Sequence, residues 1–193
     1  QQLDIGIKPN MPWELKQTHQ GMVTAAATLT ASLSLPSSLG TDDVLWTQTK
    51  VYIDSTSAYG TTQMVGRIVS ADISLVNGLD PRFTLDGVAT PYRVALSKER
   101  DVSATIVAEY DSQTQYTAWA AGTAQRVRLE ATGPSSRKAT LDLAGYWDAL
   151  ELGNDNGVIT TQLKLKGEYE ASSLLADIKL VVINGVTTLT TIP

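Results

Sequence analysis

Arg126 to Tyr169 reads RVRLEATGPSSRKATLDLAGYWDALELGNDNGVITTQLKLKGEY, and this stretch decides the fold. Val127, Leu129 and Ala131 point one way while Arg126, Arg128 and Glu130 point the other. Gly133-Pro134-Ser135-Ser136 breaks that alternation; Ala139, Leu141 and Leu143 then resume it against Lys138, Thr140 and Asp142. After Gly153-Asn154-Asp155-Asn156-Gly157, a third run sets Ile159, Thr161, Leu163 and Leu165 against Thr160, Gln162, Lys164 and Lys166. Successive side chains of a strand point to opposite faces, so a period of two bounded by turn residues marks half-buried strands. The stretch is expected to form an antiparallel meander on which the other segments pack.

Those other segments are mostly strands as well. Val23 to Leu35 is apolar at every odd position (Val23, Ala25, Ala27, Leu29, Ala31, Leu33, Leu35), which predicts a long strand ended by Pro36. Val44 to Asp54 and Met64 to Leu75 read as two more, with Arg67 a blemish in an otherwise apolar row. Between them Asp54 to Gln63 (DSTSAYGTTQ) is small and polar, as in a flexible hairpin tip. Asn77 to Pro81 reads as a turn, followed by a loop-like stretch to Pro91. Asp101 to Tyr110 alternates with Val102, Ala104, Ile106, Ala108 and Tyr110 inward. Ile178 to Ile183 (IKLVVI) is apolar at nearly every position, which predicts a strand covered on both faces, then an Asn184-Gly185 turn and a tail strand over 186–192.

One segment breaks the pattern. In DSQTQYTAWAAG, from Asp111 to Gly122, Asp111 or Ser112 can cap a helix, with Gln115 as its partner, and Gly122 can end it. Tyr116, Trp119 and Ala120 share one helical face, expected to lie on a sheet. The fold class is therefore mainly β: two packed antiparallel sheets, sandwich- or barrel-like, with one short flanking helix at about 112–121. Residues 1–22 read as an irregular arm anchored by Trp13 and Leu15, and 23–193 as a single domain, which suits a β fold of this length.

Composition narrows the function. A net charge of −5 argues against a surface that grips phosphates. There is no cysteine, so thiolate and disulfide chemistry are excluded. No apolar run approaches the roughly 20 residues that cross a bilayer, and no signal-peptide pattern opens the chain. His19 is the only histidine, and it sits in the arm, so no catalytic triad and no transition-metal site emerge. GNDNG lacks the spaced carboxylates of a calcium loop and reads as a turn. No cofactor site and no enzyme activity are expected. Trp13, Trp46, Trp119 and Trp147 could form a carbohydrate platform, though core and interface packing is the commoner use of aromatics.

The order of segments resembles one family. A strand ending VAEY, then DSQTQYTAWAAGT, then RVRLEATGPS is similar to the major tail tube proteins of long-tailed bacteriophages, which place a short helix between two strands in this way. RKATLDLAGYWDALELGNDNGVITTQLKLKGEYE and the closing VVINGVTTL resemble the same family, and IVSADISLVNGLDPRFTLDG matches it more loosely. The resemblance covers roughly residues 65–190 and rests on pattern rather than on an invariant motif. It implies a structural virion protein, located in the phage tail and assembled in the host cytoplasm. Hexameric rings would stack into a tube through which the DNA genome passes without specific binding. Implied partners are further copies of the chain and the terminator, tape measure and baseplate or tip proteins. Candidate contacts between subunits are Trp13, Asp54, Ser57, Tyr59, Gln63, Arg126 and Arg128. The outward rows with Arg126, Arg128, Glu130, Asp142, Lys164 and Lys166 would face a neighbour or the lumen. An adhesin or carbohydrate-binding module, a capsid decoration protein and a tail terminator are the competing readings.

Overall fold

The computed structural model describes residues 2–8, 13–18, 46–55, 58–85, 92–133 and 137–183. The strand expected at Val23–Leu35, Ser57, and the turn and tail strand after Ile183 lie outside them.

The meander is present: β8 (Gln125–Thr132), β9 (Lys138–Asp155) and β10 (Val158–Gly167) are antiparallel neighbours. They sit inside a nine-stranded sheet that also holds β1 (Gln2–Ile7), β2 (Glu14–Thr18), β3 (Thr49–Asp54), β4 (Ile68–Val76), β7 (Asp101–Glu109) and β11 (Ile178–Ile183). The order is β2-β1-β4-β7-β10-β9-β8-β3, with β11 also paired to β9. A separate hairpin, β5 (Leu79–Arg82) with β6 (Arg93–Leu96), forms a small second sheet.

β9 explains how one sheet acts as two. It is 18 residues long; its first part pairs with β8 and β11, and its second with β10. Gly145 stands at the changeover, paired with Gln125 on one side and Gly167 on the other. A Cβ on Gly145 would lie 1.9 Å from the Lys166 carbonyl oxygen, so only glycine lets the strands approach there. The register then slips by one between Lys164 and Leu165, a bulge of the kind that lets a strand bend from one layer to another. The two wings curl into a half-barrel around one core. Val51, Ile53, Val127, Leu129, Leu141 and Leu143 come from one wing, and Ile5, Ile73, Val102, Ile106, Leu163 and Leu165 from the other. Each such side chain contributes about 1.5–3 kcal/mol by leaving water.

Several expectations are corrected. Residues 1–22 are not uniformly irregular, because β1 pairs with both β2 and β4. β4 begins at Ile68 rather than Met64, since Gly66 turns the chain with φ +66°. Asn77-Gly78 only joins β4 to β5, and Leu79 and Pro81, expected in a turn, already belong to β5. β9 runs on to Asp155, and the turn is only Asn156-Gly157, both with positive φ as a two-residue hairpin loop requires. Ile159 and Tyr110 are exposed because they lie beyond the core. β11, expected to be covered, is largely exposed.

The helix α1 (Thr114–Ala120) forms where expected and ends at Gly122, whose φ is +59°. Its N-cap is Gln113, with no side-chain bond, rather than Asp111 or Ser112. Gln115 accepts from Trp147 Nε1 of β9 at 3.0 Å instead of closing a capping box. Gln115 and Ala118 therefore face the sheet; Tyr116 is exposed, and Trp119, its ring tilted against Tyr116 with centroids 5.7 Å apart, donates from Nε1 to the Asp148 carbonyl of β9 at 3.4 Å.

Candidate assembly surface

The face of β3, β8 and β9 turned away from the core carries a compact cluster of charge. Register sets Arg128 opposite Asp142 on the neighbouring strand. Arg128 donates from Nε to Oδ1 at 2.6 Å and from Nη2 to Oδ2 at 2.8 Å, a two-pronged pair in which Asp142 is buried. The Asp142 hydrogen bond holds the Arg128 guanidinium above its ordinary pKa. The same guanidinium lies 5.8 Å from the centre of the Tyr59 ring and donates from Nη1 to the Tyr59 carbonyl at 3.4 Å.

The loop that brings Tyr59 there is closed by Asp54. Its carboxylate accepts from the backbone N–H groups of Gly60, Thr61 and Thr62 at 2.7–3.1 Å, and it is only 3% exposed. Across the base the Ile53 N–H donates to the Thr62 carbonyl at 3.0 Å and the Met64 N–H to the Val51 carbonyl at 2.8 Å, and Gln63 bridges to Tyr52. The stretch expected to be a flexible tip is thus tied down wherever it is described. Gly60 belongs to the fit: with φ +80°, it lets Arg128 pass where a Cβ would meet Nη1 at 3.1 Å.

Arg126, one pair along β8, reaches Glu170 at 3.5 Å, and both side chains are nearly covered. Glu170 also accepts from the Ser172, Ser173 and Leu174 amides and from the Ser172 and Ser173 hydroxyls. The Leu174 amide, then the Ser172 hydroxyl, hold its carboxyl well below the usual carboxylate range. Burial, and after it the Glu170 charge, push the Tyr59 phenol up to about 12.

Four sequence candidates therefore converge: Asp54, Tyr59, Arg126 and Arg128. Gln63 pins the loop base and is itself exposed. Trp13 stands apart, donating from Nε1 to Thr49 Oγ1 at 2.8 Å and so tying the chain before β2 to the opposite sheet edge at β3. Sequence reading placed Asp142 on the outward row without its register to Arg128, and missed Glu170. The signal for Glu170 was a carboxylate followed at two and three residues by Ser172 and Ser173, a pattern that closes its own turn.

An open cleft between α1 and the loop base has two charged lining residues, Arg67 and Asp111, and these pair with each other at 2.6 Å.

Comparison with known proteins assigns this arrangement. The family model described as phage tail tube protein matches residues 13–172, from the residue before β2 through β10 and the Glu170 turn. The chain belongs to the phage tail tube protein family. No curated protein matches it. As a tail tube protein it is a structural component of the virion tail, and its curled antiparallel sheet with one helix and a small second sheet is consistent with the tail tube fold.

Proposed function

We propose that this tail tube protein forms six-copy rings that stack into the conduit for the phage genome, with no catalytic step. The observation that carries this reading is the family match, which spans every strand of the large sheet except β1 and β11, together with the charged cluster. A net charge of −5 supports it: a lumen of the same sign as DNA lets phosphates pass without binding. Copies of the chain are the first partners; terminator, tape measure and baseplate proteins meet the ends of the tube.

The loop from Asp54 to Gln63 and the edge from Trp13 to Thr18 carry contacts between rings in this reading. Asp54, Arg126 and Arg128 act from within, by holding the loop in one shape, while Tyr59, Gln63 and Ser57 belong to the loop that meets the neighbour. A preformed loop loses less entropy on docking than a mobile one. Native mass spectrometry of the purified protein is expected to show a six-copy species that grows with concentration. A monomer at every concentration would overturn the proposal.

A further inference from the structure

Where β9 and β10 run on past the core, they form an arm with an apolar platform. Register pairs Leu152 with Thr161 and Asn154 with Ile159, so Leu152 and Ile159 share one face. The next pair inward on that face is Leu150 with Leu163, at the edge of the core. Leu152 and Ile159 are 65% and 55% exposed. The Tyr110 N–H donates to the Ile159 carbonyl at 2.9 Å, and Tyr110 and Tyr116 line one small cavity with Leu150 and Thr161. Both tyrosines are exposed, which widens the platform toward α1.

The β5–β6 hairpin stands at the opposite end of the same wing. It leaves the sheet where Val76 of β4 pairs with Asp101 of β7, and the Ser97 and Lys98 N–H groups close its root on the Gly78 carbonyl. From that root β7 runs to Glu109 beside the platform, about 26 Å at 3.3 Å per residue. Leu79–Leu96 and Pro81–Val94 are cross-strand pairs on one face of the hairpin. Leu79, Val94 and Leu96 are exposed, as are Phe83 and Tyr92 just beyond. A two-stranded hairpin is marginal in water, and this face calls for a cover.

The two ends also differ in charge. From Asp148 to Leu163 the arm holds three carboxylates and no lysine or arginine. The hairpin sets Arg82 directly opposite Arg93, a like-charge pair that is unfavourable by itself. Asp80 reaches Arg82 at 3.4 Å, while Arg93 has no ion pair among the described residues.

We infer that the β5–β6 hairpin of one copy docks its apolar face on the Leu152–Ile159 platform of a copy in the next ring. This rests on the stacked rings proposed above. Unlike patches at opposite ends of one strand give a head-to-tail contact, which repeats along an axis. Two apolar faces leave water together, and the arm's carboxylates come beside Arg82 and Arg93. Hairpin on hairpin, or platform on platform, would instead bring like charges together.

The chain has no cysteine, so introduced thiols report the contact cleanly. One pool of protein carries Leu96→Cys or Val94→Cys; the other carries Leu152→Cys or Ile159→Cys. After co-assembly and mild oxidation, tubes are expected to yield a disulfide-linked dimer of one chain from each pool, absent from six-copy rings that have not stacked. Leu96→Glu, at an exposed position, is expected to keep the circular dichroism and ring yield of the parent. It is expected to shorten the tubes about tenfold, because a carboxylate enters an apolar contact that faces other carboxylates. Tubes without the cross-link, a cross-link already present in single rings, a dimer formed within one pool alone, or Leu96→Glu tubes of parental length would overturn the inference and leave the tube reading intact. Failure of the parent itself to form rings and tubes would remove both.

Discussion

Removing the Arg128 side chain leaves Asp142, whose side chain is 9% exposed, without a counter-ion. Breaking a buried pair on one side is costly because the remaining charge stays desolvated. Arg128 is 27% exposed, so solvent screens part of that cost, and Arg128→Ala is expected to lose about 2 kcal/mol. Urea unfolding of both proteins checks this. Arg128→Lys is expected to recover little, since a single ammonium cannot reproduce the two-pronged pair with Asp142. Glu170 gives a test in pH. Its folded pKa lies below the unfolded value of about 4.3, so its contribution is complete above that value and is lost as pH falls through the folded pKa. Thermal unfolding from pH 7 down to 2 is expected to show the parent more stable than Glu170→Gln by a constant margin above about pH 5, narrowing in stronger acid. A margin that widens in acid would show that the Ser172–Leu174 amides do not favour the carboxylate.

Among the elements, β9 carries the strictest demand. Gly145→Ala puts a methyl group into the Lys166 carbonyl where neither backbone can yield, and about 3 kcal/mol or more is expected to be lost. Chemical denaturation measures it; a loss below about 1 kcal/mol would mean that the two wings are not locked at that crossing. The meander was legible in sequence because Leu129, Leu141, Leu143, Leu163 and Leu165 alternate strictly and all point into the core. The continuous course of β9 was not, because Gly153 and Asn154 look like turn residues and yet sit in the strand opposite Thr160 and Ile159. Helix α1 was visible in outline, and of its expected packing face Trp119 does reach β9 while Tyr116 is exposed. Gln115 and Ala118 are turned to the sheet by the Trp147 hydrogen bond, a contact 32 residues distant that no local pattern encodes. β11 misled for a related reason: its apolar sequence signals burial, and nothing local says that the described chain leaves it exposed.

At the scale of the whole molecule, the candidate surface was half legible. Asp54, Tyr59, Arg126 and Arg128 stood out by residue type and position, but their convergence depends on the register of β3, β8 and β9 and on the Asp54-closed loop. That cluster is held together internally, and the unsatisfied apolar surface lies elsewhere, at β11 and the β5–β6 hairpin. Electron microscopy of the purified protein at rising concentration tests the central claim most directly. Rings of six-fold symmetry stacking into tubes with an open lumen are expected; monodisperse single chains at high concentration, or closed rings that never stack, would contradict it.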